Sequence, residues 1–255
     1  MSLIAFDISL AAIAGLCLGS FLNVVAYRLP AGLSLVSPGS ACPGCGTAIR
    51  AYDNVPVVSW LMLGGHCRAC DTRISARYPV IEALTGALFA AVVIARGSSA
   101  VVWLDLIFVA ALVAITVIDL DHQIIPDRIV APLALAAIVL TAIFEPHRLP
   151  EHLIAGVAAG GFLLVALLAY PAGMGFGDVK LAAVMGLVLG RAVAPAMFIA
   201  LIAGTVVGIG VIARKGVRDG RKTKVPFGPF LALGSIVAMF AGDALVNLYL
   251  HGVGL

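Results

Sequence analysis

The chain has 255 residues, of which 62% are hydrophobic and 11% charged, with a mean hydropathy of +1.12 and a formal net charge of +3. Too few polar residues are available to cover a water-soluble domain of this length, so the composition specifies an integral membrane protein. The Lys and Arg residues gather in a few loops rather than along one face, which excludes a nucleic-acid partner.

The first apolar run begins after Asp7 with no Lys or Arg ahead of it. The basic n-region of a cleavable signal peptide is missing, so this run is expected to stay in the protein. Runs at 7–26, 79–95, 101–118, 128–144, 152–170, 192–213 and 227–250 are each long enough to cross ~30 Å of hydrocarbon at ~1.5 Å per residue. An eighth, at 178–190, is short and is separated from the next only by Gly190-Arg191. The expected fold is therefore all-α and polytopic, with about eight transmembrane helices and both termini on one side. Three parts are expected: a first transmembrane helix (1–27), a loop domain (28–78) and a transmembrane core (79–255).

Loop charge sets the orientation. With the 27–78 loop inside, the inside loops hold Arg28, Arg50, Arg68, Arg73, Arg77, Arg128, Lys180, Arg214, Lys215, Arg218, Arg221, Lys222 and Lys224. The outside keeps only Arg96, Arg148 and Arg191. The long loop is thus expected in the cytoplasm, and both termini outside.

That loop is rich in Pro, Gly and Ser and too short for a large core, so it needs a staple. Cys42-Pro-Gly-Cys45 and Cys67-Arg-Ala-Cys70, with 21 residues between them, have the spacing of a tetrahedral zinc site. Disulfides are the alternative, and a reducing cytoplasm disfavours them. Four thiolates on one divalent cation leave a charge of roughly −2, which Arg68, Arg73 and Arg77 are placed to offset. Cys17, inside the first helix, reads as a buried small hydrophobe.

Two polar interruptions remain. Ile118-Asp-Leu-Asp-His-Gln-Ile-Ile-Pro-Asp127 sets three carboxylates between two membrane runs, and Gly173-Met-Gly-Phe-Gly-Asp178-Val-Lys180 ends a second break with another. Carboxylates at a membrane edge are costly and usually functional. Asp127, following Pro126, fits a plain helix start, and the glycines alone fit a tight interhelical turn. Asp119 and Asp178, expected on the same face of the bilayer, form a candidate catalytic pair. An ionised carboxylate can take a proton from water while a protonated one polarises an amide carbonyl and later protonates the leaving amine. Ser20 has no neighbouring His, and with neither H-E-x-x-H nor an open metal position a zinc protease is excluded.

These residues resemble the prepilin peptidase family, the bacterial branch of the G-x-G-D aspartyl membrane proteases. The resemblance rests on Asp119-Leu-Asp-His-Gln-Ile-Ile-Pro-Asp127 and Gly175-Phe-Gly-Asp178. It extends through Leu18-Gly-Ser-Phe-Leu-Asn-Val-Val-Ala-Tyr-Arg-Leu-Pro30, the double C-x-x-C with Asn54-Val-Pro-Val-Val-Ser-Trp60, Ile74-Ser-Ala-Arg-Tyr-Pro79, and Lys224-Val-Pro-Phe-Gly-Pro229. It implies that Asp119 and Asp178 are catalytic, and that the substrates are type IV prepilins or type II secretion pseudopilins, cleaved after a glycine at the cytoplasmic face of the bacterial inner membrane. The intact cysteine loop implies the bifunctional type, which also methylates the new N-terminal amine from S-adenosylmethionine. No Rossmann glycine pattern marks a methyl-donor site; Asn23, Arg28 and the Arg73–Glu82 segment are expected to border it. A proton-coupled transporter using intramembrane carboxylates and a zinc-stapled scaffold without chemistry are the alternatives.

Overall fold

A computed structural model describes residues 3–97, 99, 101–171, 173–216 and 223–253. Among them the chain is helical: α1 (Leu3–Arg28), α2 (Val58–Met62), α3 (Arg77–Arg96), α4 (Val102–His122), α5 (Asp127–Phe144), α6 (Leu149–Ala169), α7 (Phe176–Leu189), α8 (Val193–Lys215) and α9 (Gly228–Val253). The only extended pairings among the described residues are two isolated bridges in the cysteine loop. Arg218, Arg221 and Lys222 of the expected basic loop lie outside the described residues.

Each apolar run became a helix, yet among the described residues seven segments rather than eight qualify as membrane spans. The difference lies at Phe176–Lys215, which reads as one 40-residue stretch. Within it α7 has 14 residues, about 21 Å at 1.5 Å per residue, which is short of the hydrocarbon thickness. A single 3-10 turn at Gly190–Ala192, with Gly190 at φ +56°, redirects the chain into α8.

The chain divides into two compact units, Met1–Val102 and Trp103–Leu255. In the first, α1 lies along α3 with no room for a side chain at its glycines. A Cβ on Gly15 would stand 2.8 Å from the Gly86 Cα, and one on Gly19 would stand 2.8 Å from the Glu82 Cα. This Gly15-x-x-x-Gly19 spacing is the small-residue seam of membrane helix pairs, where van der Waals contact replaces the missing hydrophobic drive. Cys17 lies between the two glycines in sequence and is exposed, correcting the buried reading. The glycines occupy the α3 face, so Cys17 is turned outward.

Of the described membrane spans α4, in the second unit, is the most enclosed, with 72% of its apolar stretch buried against 17–44% for the others. Phe108, Leu112, Ile115 and Ile118 on it are fully buried. In the same unit α6 packs on α7, where Gly186 lies directly against the Ala155 carbonyl, and α8 packs on α9, where Gly234 lies against that of Ala196. The helix runs one turn past the expected end at Ile118. It closes where Gln123, at φ +54°, donates its N–H to the Asp119 carbonyl at 2.9 Å, a left-handed residue ending a helix as glycine or Asn more often does.

Candidate functional site

That extra turn positions Asp119. It sits in the last turn of α4, directly after fully buried Ile118 and one turn past fully buried Ile115, and is 5% exposed. Its Oδ2 accepts the Gly228 N–H at 2.9 Å, one of the donors that the start of a helix leaves without an intrahelical acceptor. The Gly228 position admits no side chain, since a Cβ there would stand 2.7 Å from the same Oδ2.

Asp178 is built differently. It is the third residue of α7, where its own N–H bonds the Gly175 carbonyl at 3.1 Å and its Oδ2 reaches back to accept the Gly175 N–H at 3.0 Å, the side-chain half of a capping box. Gly177 lets α7 start hard against the turn after α4, because a Cβ on it would stand 2.9 Å from the Ile125 Cβ. Asp178 is 7% exposed. The two carboxylates lie within electrostatic reach of each other, although 59 positions separate them in the chain. Two helix termini, the end of α4 and the start of α7, thus present buried acids to one place.

The other two acids of the first motif are not part of this arrangement. Asp121 is exposed. Asp127 begins α5 and takes the Lys180 Nζ at 2.6 Å, so Lys180 ties α7 to α5 across an exposed surface. The segment before α9 is linked to the α4 end a second time, through Gln123 Nε2 donating to the Lys224 carbonyl at 3.3 Å. Gly228 as the partner of Asp119 was not legible from composition or spacing. Its one signal was a Pro-Phe-Gly-Pro segment too rigid and glycine-bearing for an ordinary loop.

The cysteine loop lies in the first unit. The Sγ atoms of Cys42, Cys45, Cys67 and Cys70 are all within 4.8 Å of one another. The Cys42–Cys70 separation is 3.7 Å, matching the about 3.8 Å edge of a tetrahedron with ~2.3 Å metal–sulfur bonds. The two knuckles are copies of each other. Cys42 N–H bonds the Thr47 carbonyl and Cys67 N–H the Thr72 carbonyl, each at 2.9 Å. Gly46 and Asp71, in equivalent positions, both have positive φ. Thr47 and Thr72 set their hydroxyls 3.2 and 3.1 Å from the Cys45 and Cys70 sulfurs. The Thr47 hydroxyl and backbone N–H lower Cys45 to about 6. At Cys42 the N–H groups of Cys45 and Gly44 pull the same way but are outweighed by desolvation and the neighbouring sulfurs, which push it up to about 11. The spacing of the four sulfurs lets the set hold a metal ion. Arg68, expected to offset the cluster's charge, instead forks onto Asp53 at 2.7–3.1 Å and holds that carboxyl below its usual range.

Among residues expected to border a methyl-donor site, Arg28 gives its guanidinium to the carbonyls of Ser34, Pro38 and Gly39. Asn23 is buried, with Nδ2 donating to the Gly19 and Tyr78 carbonyls.

Comparison with known proteins covers both units. Residues 13–96 match the bacterial peptidase A24 N-terminal domain, and residues 106–209 match the type IV leader peptidase family. Three similar curated proteins are each named prepilin leader peptidase/N-methyltransferase. That of Aeromonas hydrophila is 34% identical over 95% of this chain and 93% of its own. That of Pseudomonas aeruginosa is 33% identical over 94% and 92%, and that of Bacillus subtilis 34% over 95% and 98%. No solved structure matches the chain. Matched along both units and over almost the full length of its relatives, the chain belongs to the type IV leader peptidase family.

Proposed function

We propose that the protein cleaves the leader of type IV prepilins or type II secretion pseudopilins and then methylates the exposed N-terminal amine. The observation that carries the first activity is the pair of buried aspartates, Asp119 and Asp178, brought within electrostatic reach from two helix ends. Each has Oδ2 engaged by one backbone N–H, which fixes both carboxyl planes and leaves Oδ1 of each for water and substrate. One carboxylate, ionised, takes a proton from water as the water oxygen attacks the scissile carbonyl carbon. The other, protonated, donates to the carbonyl oxygen. When the tetrahedral centre collapses the C–N bond breaks and the leaving amine takes a proton from the pair. No covalent enzyme intermediate is needed. Holding both acids on rigid helix termini supplies the orientation on which such catalysis depends.

The four cysteines hold a structural zinc ion in this reading, supported by the near-tetrahedral sulfur spacing. With all four positions filled by thiolate such an ion has no open site for chemistry, so it staples the loop. S-adenosylmethionine, when bound, supplies the methyl group. Charge in the loops supports a bacterial inner-membrane location with the cysteine loop and the aspartates facing the cytoplasm. The names of the relatives give the transporter reading no support.

The test is purified protein in detergent with a synthetic peptide of basic leader, glycine, phenylalanine and an apolar tail. Cleavage after the glycine, followed by a product heavier by one methyl group when S-adenosylmethionine is added, is the expected result. An intact peptide would overturn the reading.

A further inference from the structure

The aspartate mechanism leaves two buried carboxylates unused, Asp105 of α4 and Glu82 of α3. Glu82 lies five positions past the start of α3, about 7 Å along the axis at 1.5 Å per residue, and is 8% exposed. Its Cα is pressed against Gly19 of α1. Its Oε2 accepts the Val57 N–H at 2.7 Å. Among the described residues no Lys or Arg pairs with it. An ionisable side chain inside a membrane helix without a cationic partner is costly and by default marks a function.

What Glu82 grips is also costly. Val57 has φ +62° and ψ −51°, and the Val58 N–H reaches the Pro56 carbonyl two residues back. This is the rare classic γ-turn, which a β-branched residue adopts only under strain. Such outliers persist where the surroundings over-determine them, most often at ligand sites. The surroundings here are polar and part-buried. Ser59 accepts the Val55 N–H and donates to the Tyr52 carbonyl, Trp60 Nε1 donates to the Ile74 carbonyl, and Asn23 lies one turn along α1 from Gly19, bonded to the Tyr78 carbonyl.

We infer that Glu82, with the strained turn at Val57 and with Asn23, forms a cation subsite for the methyl-transfer reaction. The inference rests on the N-methyltransferase reading above. A carboxylate has about four acceptor positions, and the Val57 N–H uses one. Methyl transfer to an amine brings two cations together: the substrate's α-ammonium and the sulfonium of the donor. The ammonium first loses a proton to water. The nitrogen lone pair then forms the N–C bond as the S–C bond breaks with its electrons to sulfur, giving a neutral thioether and a methylated ammonium. Both onium groups have the chemistry that a buried, unpaired carboxylate recognises, and the strained turn sets the direction in which it points.

Glu82→Gln tests this, because the amide oxygen still accepts the Val57 N–H and only the charge is lost. Leader cleavage by the variant should stay within about twofold of wild type, while methylation of a precleaved peptide falls roughly ten- to hundredfold, the scale of a lost charged hydrogen bond. Calorimetry separates the two sources. If the sulfonium is the ligand, S-adenosylmethionine binding weakens by that factor while binding of the neutral S-adenosylhomocysteine is unchanged. If the α-ammonium is the ligand, both bind normally and KM for the precleaved peptide rises. Methylation at the wild-type rate, or an equal fall in cleavage and methylation, would overturn the subsite. Wild-type protein that cleaves but never methylates would instead overturn the methyltransferase reading, and the subsite with it.

Discussion

The Gly228 N–H lies 2.9 Å from the Asp119 Oδ2, across 109 positions of sequence, at a point where no side chain fits between them. The start of α9 is therefore the clamp that sets the carboxyl plane of an acid on α4. Replacing Gly228 by Ala puts a methyl 2.7 Å from that oxygen and must turn the carboxyl or shift α9. Leader cleavage should fall by about 100-fold, the scale of a 1 Å misplacement at a reacting group. Steady-state kcat/KM on a synthetic leader peptide measures it, and a change under threefold would show that the clamp is dispensable.

The glycines of the second motif should not be equivalent. A Cβ on Gly175 would meet nothing closer than the Asp178 Oδ2 at 3.7 Å, an ordinary contact, and its φ of −92° suits any residue. One on Gly177 would collide with the Ile125 Cβ at 2.9 Å. Gly175→Ala is thus expected to cleave at close to the wild-type rate, and Gly177→Ala to lose most activity. Parallel assays of the two purified variants decide it; equal effects would contradict the packing.

The Lys180–Asp127 bridge, short as it is at 2.6 Å, joins exposed groups. Exposed pairs contribute roughly 0–1 kcal/mol and are screened by salt. Lys180→Met and Asp127→Asn should each leave cleavage within about threefold of wild type and shift thermal unfolding by only a few degrees. A larger loss in cleavage would give the pair a role in the site itself.

The bilayer made most of the fold legible in sequence. A run of some twenty apolar residues has one low-energy conformation in hydrocarbon, so every expected span became a helix. Its ends were harder. The Asp-Leu-Asp-His turn after Ile118 is too polar for a hydropathy reading, yet the helix continues through it because the backbone still needs its bonds and Gln123 supplies the closing one. The cysteine tetrad was legible because four ligands at fixed spacing serve few purposes. Gly228 at Asp119 and Val57 at Glu82 are tertiary contacts between distant segments, and no local pattern encodes them. Short α2 was missed for the same reason: five residues carry no period.

Metal analysis should find about one zinc per chain, the number a single four-thiolate centre takes, and Cys45→Ser or Cys70→Ser should abolish it. Because the loop between α1 and α3 has little apolar core, stripping the ion should disorder residues 40–75, seen as faster amide exchange. Methylation should weaken more than cleavage, since the aspartates belong to the other unit. Iron in place of zinc, or no metal, would contradict the assignment.

Single-turnover cleavage by Asp119→Asn and Asp178→Asn bears most directly on the central claim. Asparagine keeps the shape and an oxygen to accept the Gly228 or Gly175 N–H, so only proton transfer is lost. Each variant should insert normally, methylate a precleaved peptide and cleave the leader at least about 1000-fold more slowly, within the range of a lost general acid or base. Retention of most cleavage activity by either one would contradict the pair.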